Sequence, residues 1–108
     1  MKINMTLKQK TGRVNAEAIY QGETVIVLAG GTISEDFAEH IRGGVKAKMY
    51  RENKEYVNKD GLIIKNCEFS SPSTAAQFVT GRSINGYASW KVESKKSLGD
   101  YLKEKGLR

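Results

Sequence analysis

Five residues between Ser71 and Lys91 have side chains suited to binding phosphate groups or the edges of bases. They are Ser71, Ser73, Arg82, Asn85 and Lys91. Hydroxyl groups and lysine contact phosphate oxygens, whereas arginine and asparagine also form paired hydrogen bonds with bases. Ser71 precedes Pro72, a pair typical of a helix start, and a helix N-terminus attracts anions through its unpaired N–H groups. The sequence therefore predicts a nucleic-acid-binding site, and we expect the five side chains to line one surface.

Each of these residues also has an interpretation that needs no ligand. Ser71 can cap its own helix, and Asn85-Gly86 is a common tight-turn pair because both residues tolerate positive φ. Arg82 can instead bind helix carbonyl groups or an acidic side chain. Trp90 is expected in the core, so that its neighbour Lys91 points outward. The sequence leaves both interpretations open.

Catalytic groups are missing from the usual arrangements. His40 and Cys67 are the only residues of their types, which excludes a histidine–cysteine metal cluster and a disulfide within the chain. Ser83 lacks the second glycine of a nucleophile elbow, and Gly30-Gly31 is too short for a dinucleotide fingerprint. We therefore expect no enzymatic activity, no cofactor and no metal. A third hypothesis, a small enzyme for a phosphorylated ligand at Ser71, lacks a base and metal ligands.

Charge is distributed unevenly along the chain, which has a formal net charge of +6. Residues 1–13 contain four basic residues and no acid, and residues 14–40 contain five acids and no Lys or Arg. The remaining residues contain fourteen basic residues and seven acids. Basic ends are suited to contacting phosphates, and the acidic stretch is suited to a basic protein partner. A lysine-rich surface that serves solubility explains the same excess.

Composition indicates one globular domain over residues 1–108, with a basic segment at 1–13. Hydrophobic residues make up 39% of the chain, and the longest apolar run, Val25 to Ala29, is far shorter than the roughly 20 residues of a membrane span. The first residues are charged and are not followed by the apolar block of a secretory signal. We expect a cytoplasmic protein with no membrane segment.

Hydrophobic periodicity in the first half of the chain predicts a hairpin and a helix. A half-buried strand is expected from Val14 to Tyr20, a loop at Gln21-Gly22-Glu23, and a strand covered on both faces from Thr24 to Leu28. A helix capped by Thr32 or Ser34 is expected to continue through Phe37, Ala38 and Ile41 and to stop at Gly43-Gly44.

The second half of the chain predicts three further helices and two strands. Val45 to Tyr50 fits a strand or a helix, and Arg51 to Asn58 predicts a polar helix. Asp60-Gly61 predicts a turn into Leu62-Ile63-Ile64, followed by a short strand at Cys67 to Phe69. A helix is expected from Pro72 to Gly81, a turn at Asn85-Gly86, a strand through Ala88, Trp90 and Val92, and a last helix after Ser97. The predicted fold is α+β: a small, mostly antiparallel sheet with about three helices packed on it.

One segment resembles a bacterial family, the domain of unknown function 4357. Members of this family have stretches similar to F-S-S-P-S-A-A-A, G-R-S-A-N-G-W and W-K. The corresponding residues are Phe69 to Ala76, Gly81 to Tyr87 and Trp90-Lys91, with departures at Thr74, Ile84 and Tyr87. Val25 to Gly31 is similar to the family's strand that ends in a Gly-Ser pair, and Arg51 is similar to an arginine of its middle helix. The resemblance covers residues 14–102.

The resemblance implies a function near DNA. Such domains occur at the C-termini of GIY-YIG-type endonucleases and of restriction-modification components, and a related module accompanies restriction adenine methylases. This chain lacks the nuclease and methylase motifs, so an enzyme partner would be another chain. The resemblance thus implies an accessory module that binds DNA, with a protein-interaction or oligomerisation domain as the alternative.

Overall fold

The computed structural model describes residues 2–9, 12–22, 24–37 and 44–108. Four strands form one sheet in chain order: β1 (Ile3–Lys8), β2 (Asn15–Gln21), β3 (Thr24–Val27) and β4 (Cys67–Phe69). Four helices follow or interrupt the strands: α1 (Val45–Glu52), α2 (Pro72–Thr80), α3 (Gly86–Ser89) and α4 (Leu98–Glu104). A short 3-10 helix lies at Glu93–Lys95. The antiparallel sheet with helices confirms the predicted α+β class.

The sheet is antiparallel throughout and has one buried face. Strand β1 alternates between buried Ile3, Met5 and Leu7 and more exposed polar residues, which fixes its register against β2. Leu7 pairs with Ala16, and Gln21 pairs with Thr24 at the end of the β2–β3 hairpin. The predicted strand at 14–20 is confirmed, although Gln21 belongs to β2 rather than to the loop.

Strand β1 was missed by the sequence interpretation, which treated residues 1–13 only as a basic segment. Its lysines dominate the composition and obscure the alternation of its three apolar residues. That alternation, with a period of two residues, is the signal that identifies a half-buried strand.

The opposite face of the sheet is more exposed in the described part of the chain. Val25 and Val27 are buried, but Thr24, Ile26 and Leu28 are only half-buried, so the prediction that β3 is covered on both faces was wrong. The same open face includes Glu17 of β2 and Glu68 of β4, both exposed. We call it the open face of the sheet.

The pairing of β3 with β4 continues beyond the two strands in the same register. Val25 pairs with Phe69, and farther along the chain Thr32 forms a bridge with Leu62. The two residue numbers add up to 94 in both antiparallel pairs, which means that the register is the same. Between them the ladder is interrupted, and the backbone N–H of Ala29 donates to Oδ1 of Asn66 instead. The turn at Asp60-Gly61 and the short strand at Cys67–Phe69 were both correctly predicted.

The two helices predicted from N-cap serines, α2 and α4, are confirmed. Ser71 caps α2, with Oγ accepting a hydrogen bond from the backbone N–H of Thr74 at 3.1 Å, and Gly81 follows the helix in the left-handed conformation. Ser97 caps α4 in the same way through Asp100. Pro72 stands at the first position of α2, where a missing N–H has no cost.

Three other predictions were wrong in part. In each case a polar side chain makes a hydrogen bond that does not belong to the predicted element. Residues 33–37 are not helical: Thr32 joins two β-bridges, and its hydroxyl donates to the carbonyl of Arg13. The rest of that predicted helix, with Ala38 and Ile41, lies outside the described residues. The stretch from Val45 to Tyr50 is helical. Helix α1 ends at Glu52 because Oδ1 of Asn53 accepts a hydrogen bond from the N–H of Glu55. The helix predicted from Arg51 to Asn58 therefore does not continue beyond Glu52.

The third wrong prediction is the strand from Ala88 to Val92. Asn85 does not form a hairpin turn but caps α3, and its Oδ1 accepts from the N–H of Tyr87 at 2.9 Å. Only Lys91 pairs like a strand residue, in bridges to Thr6 and Ser97.

Among the described residues, none of the helices has the length and apolar character that crossing a bilayer requires.

Candidate functional site

The Phe69–Lys91 segment folds into a junction between α2, α3 and the core. Oγ of Ser73, in the first turn of α2, accepts a hydrogen bond from the N–H of Gly86 at 2.9 Å. One residue earlier, the carbonyl of Pro72 accepts from Nε1 of Trp90 at 3.0 Å. Trp90 is fully buried, so this bond satisfies an indole N–H that water cannot reach. Ser73 and Trp90 therefore hold the start of α2 against α3.

Glycine is required at two positions of this junction because backbone segments approach closely. A Cβ at Gly86 would lie 2.1 Å from the carbonyl carbon of Pro72, and one at Gly81 would lie 1.9 Å from the carbonyl oxygen of Asp36. Gly81 also has φ of 70°, a conformation that side chains disfavour. The glycines that carry the family resemblance are thus explained by packing.

Three of the five predicted binding residues have side-chain oxygens that already act as acceptors within the protein. Ser71 caps α2 and also lies 2.8 Å, oxygen to oxygen, from the hydroxyl of Thr74. Ser73 binds Gly86, and Asn85 caps α3. These three residues lie together at the N-terminal ends of α2 and α3. Their oxygens are occupied with holding those ends in place.

Arg82 lies at the opposite end of α2, about 13 Å along the helix axis from Ser71. Its side chain is exposed, and no described residue accepts a hydrogen bond from its guanidinium group. It lines a groove of about 500 Å³ together with Arg13 and three carboxylates, those of Glu35, Asp36 and Asp60. The carboxylates oppose the binding of a phosphate at this position.

Lys91 lies next to β1. Its backbone forms two hydrogen bonds of 2.8 Å with Thr6, and its ammonium group donates to the carbonyl of Ala88 at 2.9 Å. Together with Glu17 and Leu28, it lines a groove on the open face of the sheet. The structure therefore gathers Ser71, Ser73 and Asn85, and it places Arg82 and Lys91 separately.

Arg51 has the most extensive set of contacts in the described part of the chain, and its importance was not apparent from the sequence. Nε donates to the carbonyl of Phe78 at 2.8 Å, and Nη2 donates to Oγ of Ser34 at 2.7 Å. Nη1 donates to the carbonyl of Ser34, and the guanidinium lies 5.0 Å from the ring centroid of Phe37. Burial lowers the pKa of Arg51 to about 10, partly offset by Asp36. These contacts hold α1 against α2, and only the weak resemblance to a family arginine pointed to the residue.

Potential catalytic and metal-binding groups are sparse. Burial raises the pKa of the Cys67 thiol to about 12, which keeps it protonated and unreactive. The described residues contain no group of three or more His, Cys, Asp or Glu side chains arranged to hold a metal ion. A groove of about 560 Å³ beside α1 is lined by four basic residues, Lys48, Arg51, Lys54 and Lys59, and by three acids, Glu35, Glu52 and Asp60, so its net charge is only +1.

Comparison with known proteins gives a family and no relative of known function. Residues 5–102 match the family described as Domain of unknown function (DUF4357). The match starts within β1, nine residues earlier than the resemblance seen in the sequence, and spans 98 of the 108 residues. No curated protein and no solved structure shows significant similarity to the chain. From Met5 to Leu102, the chain therefore belongs to the family of domains of unknown function 4357.

Proposed function

We propose that this domain is a non-enzymatic accessory module that binds DNA through its basic C-terminal region, residues 82–108. The observation that carries the proposal is the location of charge: this quarter of the chain has seven Lys or Arg residues and three acids, a net +4 of the total +6. Six of the seven cationic side chains are exposed. They are Arg82, Lys91, Lys95, Lys103, Lys105 and Arg108.

Exposed cations of this kind bind the phosphate backbone and release counterions, without reading sequence. Among the described residues, Lys96 is the one member of the seven that an ion pair neutralises, with Glu104. Lys91 belongs to the contact, whereas Arg82, beside three carboxylates, adds only to the overall positive charge. Ser71, Ser73 and Asn85 support the contact by fixing the helix ends. A setting beside a nuclease or a restriction-modification enzyme, which the family resemblance implies, is part of the same proposal. So is the cytoplasmic location expected from the single cysteine and the charged first residues.

The test is a titration of labelled duplex and single-stranded DNA, followed by fluorescence anisotropy at about 50 and 200 mM salt. Three phosphate contacts would weaken binding to duplex by about 40-fold between these concentrations. The double variant Lys103→Ala/Lys105→Ala should weaken binding by about tenfold. Lys54→Ala/Lys59→Ala is the matched control, since it removes the same charge from the groove beside α1, where three acids accompany the basic residues. Absence of binding to either DNA at 50 mM salt, or equal effects of the two variants, would contradict the proposal.

The open face of the sheet favours a second candidate function, protein interaction. Its half-buried Ile26 and Leu28 are continued by Leu62 and Ile64, which are 40% and 47% exposed. The acidic stretch that the sequence offered for this role is divided, because Glu17 lies on the open face and Glu35 lines the Arg82 groove. A variant Ile26→Lys/Ile64→Lys that loses a partner in pull-downs while DNA binding is unchanged would favour this function.

A further inference from the structure

A groove between the β2–β3 hairpin and the start of α2 differs chemically from the others. It has a volume of about 480 Å³ and is lined by Tyr20, Gly22, Thr24, Ser70, Pro72 and Tyr87. Two of these residues are half-buried tyrosines, whereas Pro72 is fully buried. We call this site the tyrosine groove. It lies beside the junction that Pro72 and Gly86 form.

The described residues that line the tyrosine groove are uncharged, and a cation lies against one of them. The described residues that line it include no carboxylate, unlike those of the grooves beside Arg82, beside α1 and on the open face. The guanidinium of Arg108 lies 3.7 Å from the ring centroid of Tyr87. A cation of the basic C-terminal region is thus stacked on one face of the Tyr87 ring, although Arg108 does not itself line the groove, which leaves the other face of the ring for a ligand.

Aromatic side chains next to cations suit unpaired bases better than a duplex. In a duplex the faces of the bases are stacked on one another, so a tyrosine ring gains little. In a single strand the faces are free and stack on aromatic rings, while cations contact the phosphates between them. A volume of about 480 Å³ is within the range of small-ligand sites, large enough for a nucleoside.

We propose that the tyrosine groove binds an unpaired base of single-stranded DNA, with Tyr87 as a stacking group and Arg108 as a phosphate contact. This inference rests on the proposed DNA-binding function and specifies its ligand. It predicts a preference for single strands that the basic C-terminal region alone would not produce.

The experiment compares a labelled oligo-dT of about 12 nucleotides with a duplex of the same length at about 50 mM salt. We expect the single strand to bind at least tenfold more tightly. Tyr87→Leu should lower its affinity by about tenfold and leave duplex affinity within twofold, whereas Tyr87→Phe should retain single-strand binding. Tyr56→Leu is the matched control, since Tyr56 is also half-buried with a lysine near its ring, Lys65 at 5.8 Å, but lies outside the groove.

A second pair of variants keeps the test valid if Tyr87→Leu does not fold. Ser70 and Ser83 are both exposed, and only Ser70 lines the groove. Ser70→Glu should weaken single-strand binding about tenfold, and Ser83→Glu should change it by no more than twofold. Equal affinities for the two DNAs, or equal effects of the two serine variants, would overturn the inference while DNA binding itself stands. Absence of binding to both DNAs would overturn the proposed function as well. Binding of a labelled polyproline peptide in place of oligo-dT would overturn the inference by assigning the groove to a protein ligand.

Discussion

Ser73 illustrates how a residue type suited to phosphate binding can be committed to the fold. Its hydroxyl accepts a hydrogen bond from the N–H of Gly86, a buried residue whose backbone lies against Pro72. The family resemblance at this serine therefore has a sufficient explanation in the junction between α2 and α3. A structural role and a binding role give different results on mutation.

We predict that Ser73→Ala lowers the free energy of unfolding by about 1–2 kcal/mol, because the buried N–H of Gly86 loses its acceptor. DNA affinity should stay within twofold. Urea unfolding and the anisotropy titration check the two parts. Ser83→Ala is the control, since Ser83 is exposed and its hydroxyl makes no hydrogen bond with a described residue. A stable Ser73→Ala protein with weakened DNA binding would return Ser73 to the binding site.

At the level of elements, the caps of α2 and α4 were predictable, whereas long-range contacts were not. Ser71 and Ser97 mark helix starts through bonds to residues three positions away, so the sequence alone reveals them. Asn85 is ambiguous, since the same Asn-Gly pair forms hairpin turns or caps a helix. The choice depends on the hydrogen bond between Gly86 and Ser73, thirteen residues away. Such a contact leaves no periodic signal in the sequence.

The candidate site shows the same limit. Each predicted binding residue is of a type suited to a ligand, but its role depends on neighbours that the fold supplies. Arg82 has a suitable cation, yet the groove beside it brings in Asp36 and Asp60 from distant parts of the chain. The tyrosine groove could not be predicted because Tyr20 and Tyr87 are 67 positions apart.

Arg51 is the contact that fixes α1 against α2, and its replacement tests that role. Arg51→Lys should lower the free energy of unfolding by about 2–3 kcal/mol. A lysine keeps the buried charge but cannot reach Phe78, Ser34 and Phe37 together, so carbonyl groups lose their donors. Urea unfolding at neutral pH measures the change, and Lys46→Arg at an exposed position of the same helix is the control. Equal stability of the two variants would show that α1 is held by its apolar contacts alone.

At the scale of the whole molecule, Trp90 lies where the sheet and the helices meet. Its indole binds Pro72 at the start of α2, and its carbonyl accepts from the N–H of Leu98 at the start of α4. The next residue, Lys91, is bonded to Thr6 of β1 through both backbone groups. Loss of structure around Trp90 therefore detaches three elements from one another.

This arrangement predicts that the chain unfolds in a single cooperative transition, as the expectation of one domain over residues 1–108 requires. Trp90 is the only tryptophan, so its fluorescence reports on the junction, whereas far-UV circular dichroism reports on all strands and helices. The two signals should give the same urea midpoint within error, because the junction cannot open while β1, α2 and α4 stay assembled. Gly86→Ala, which would force α3 away from the backbone of Pro72, should lower both midpoints together. A fluorescence midpoint clearly below the dichroism midpoint would show instead that the C-terminal region unfolds first, and that the sheet with α1 is stable without it.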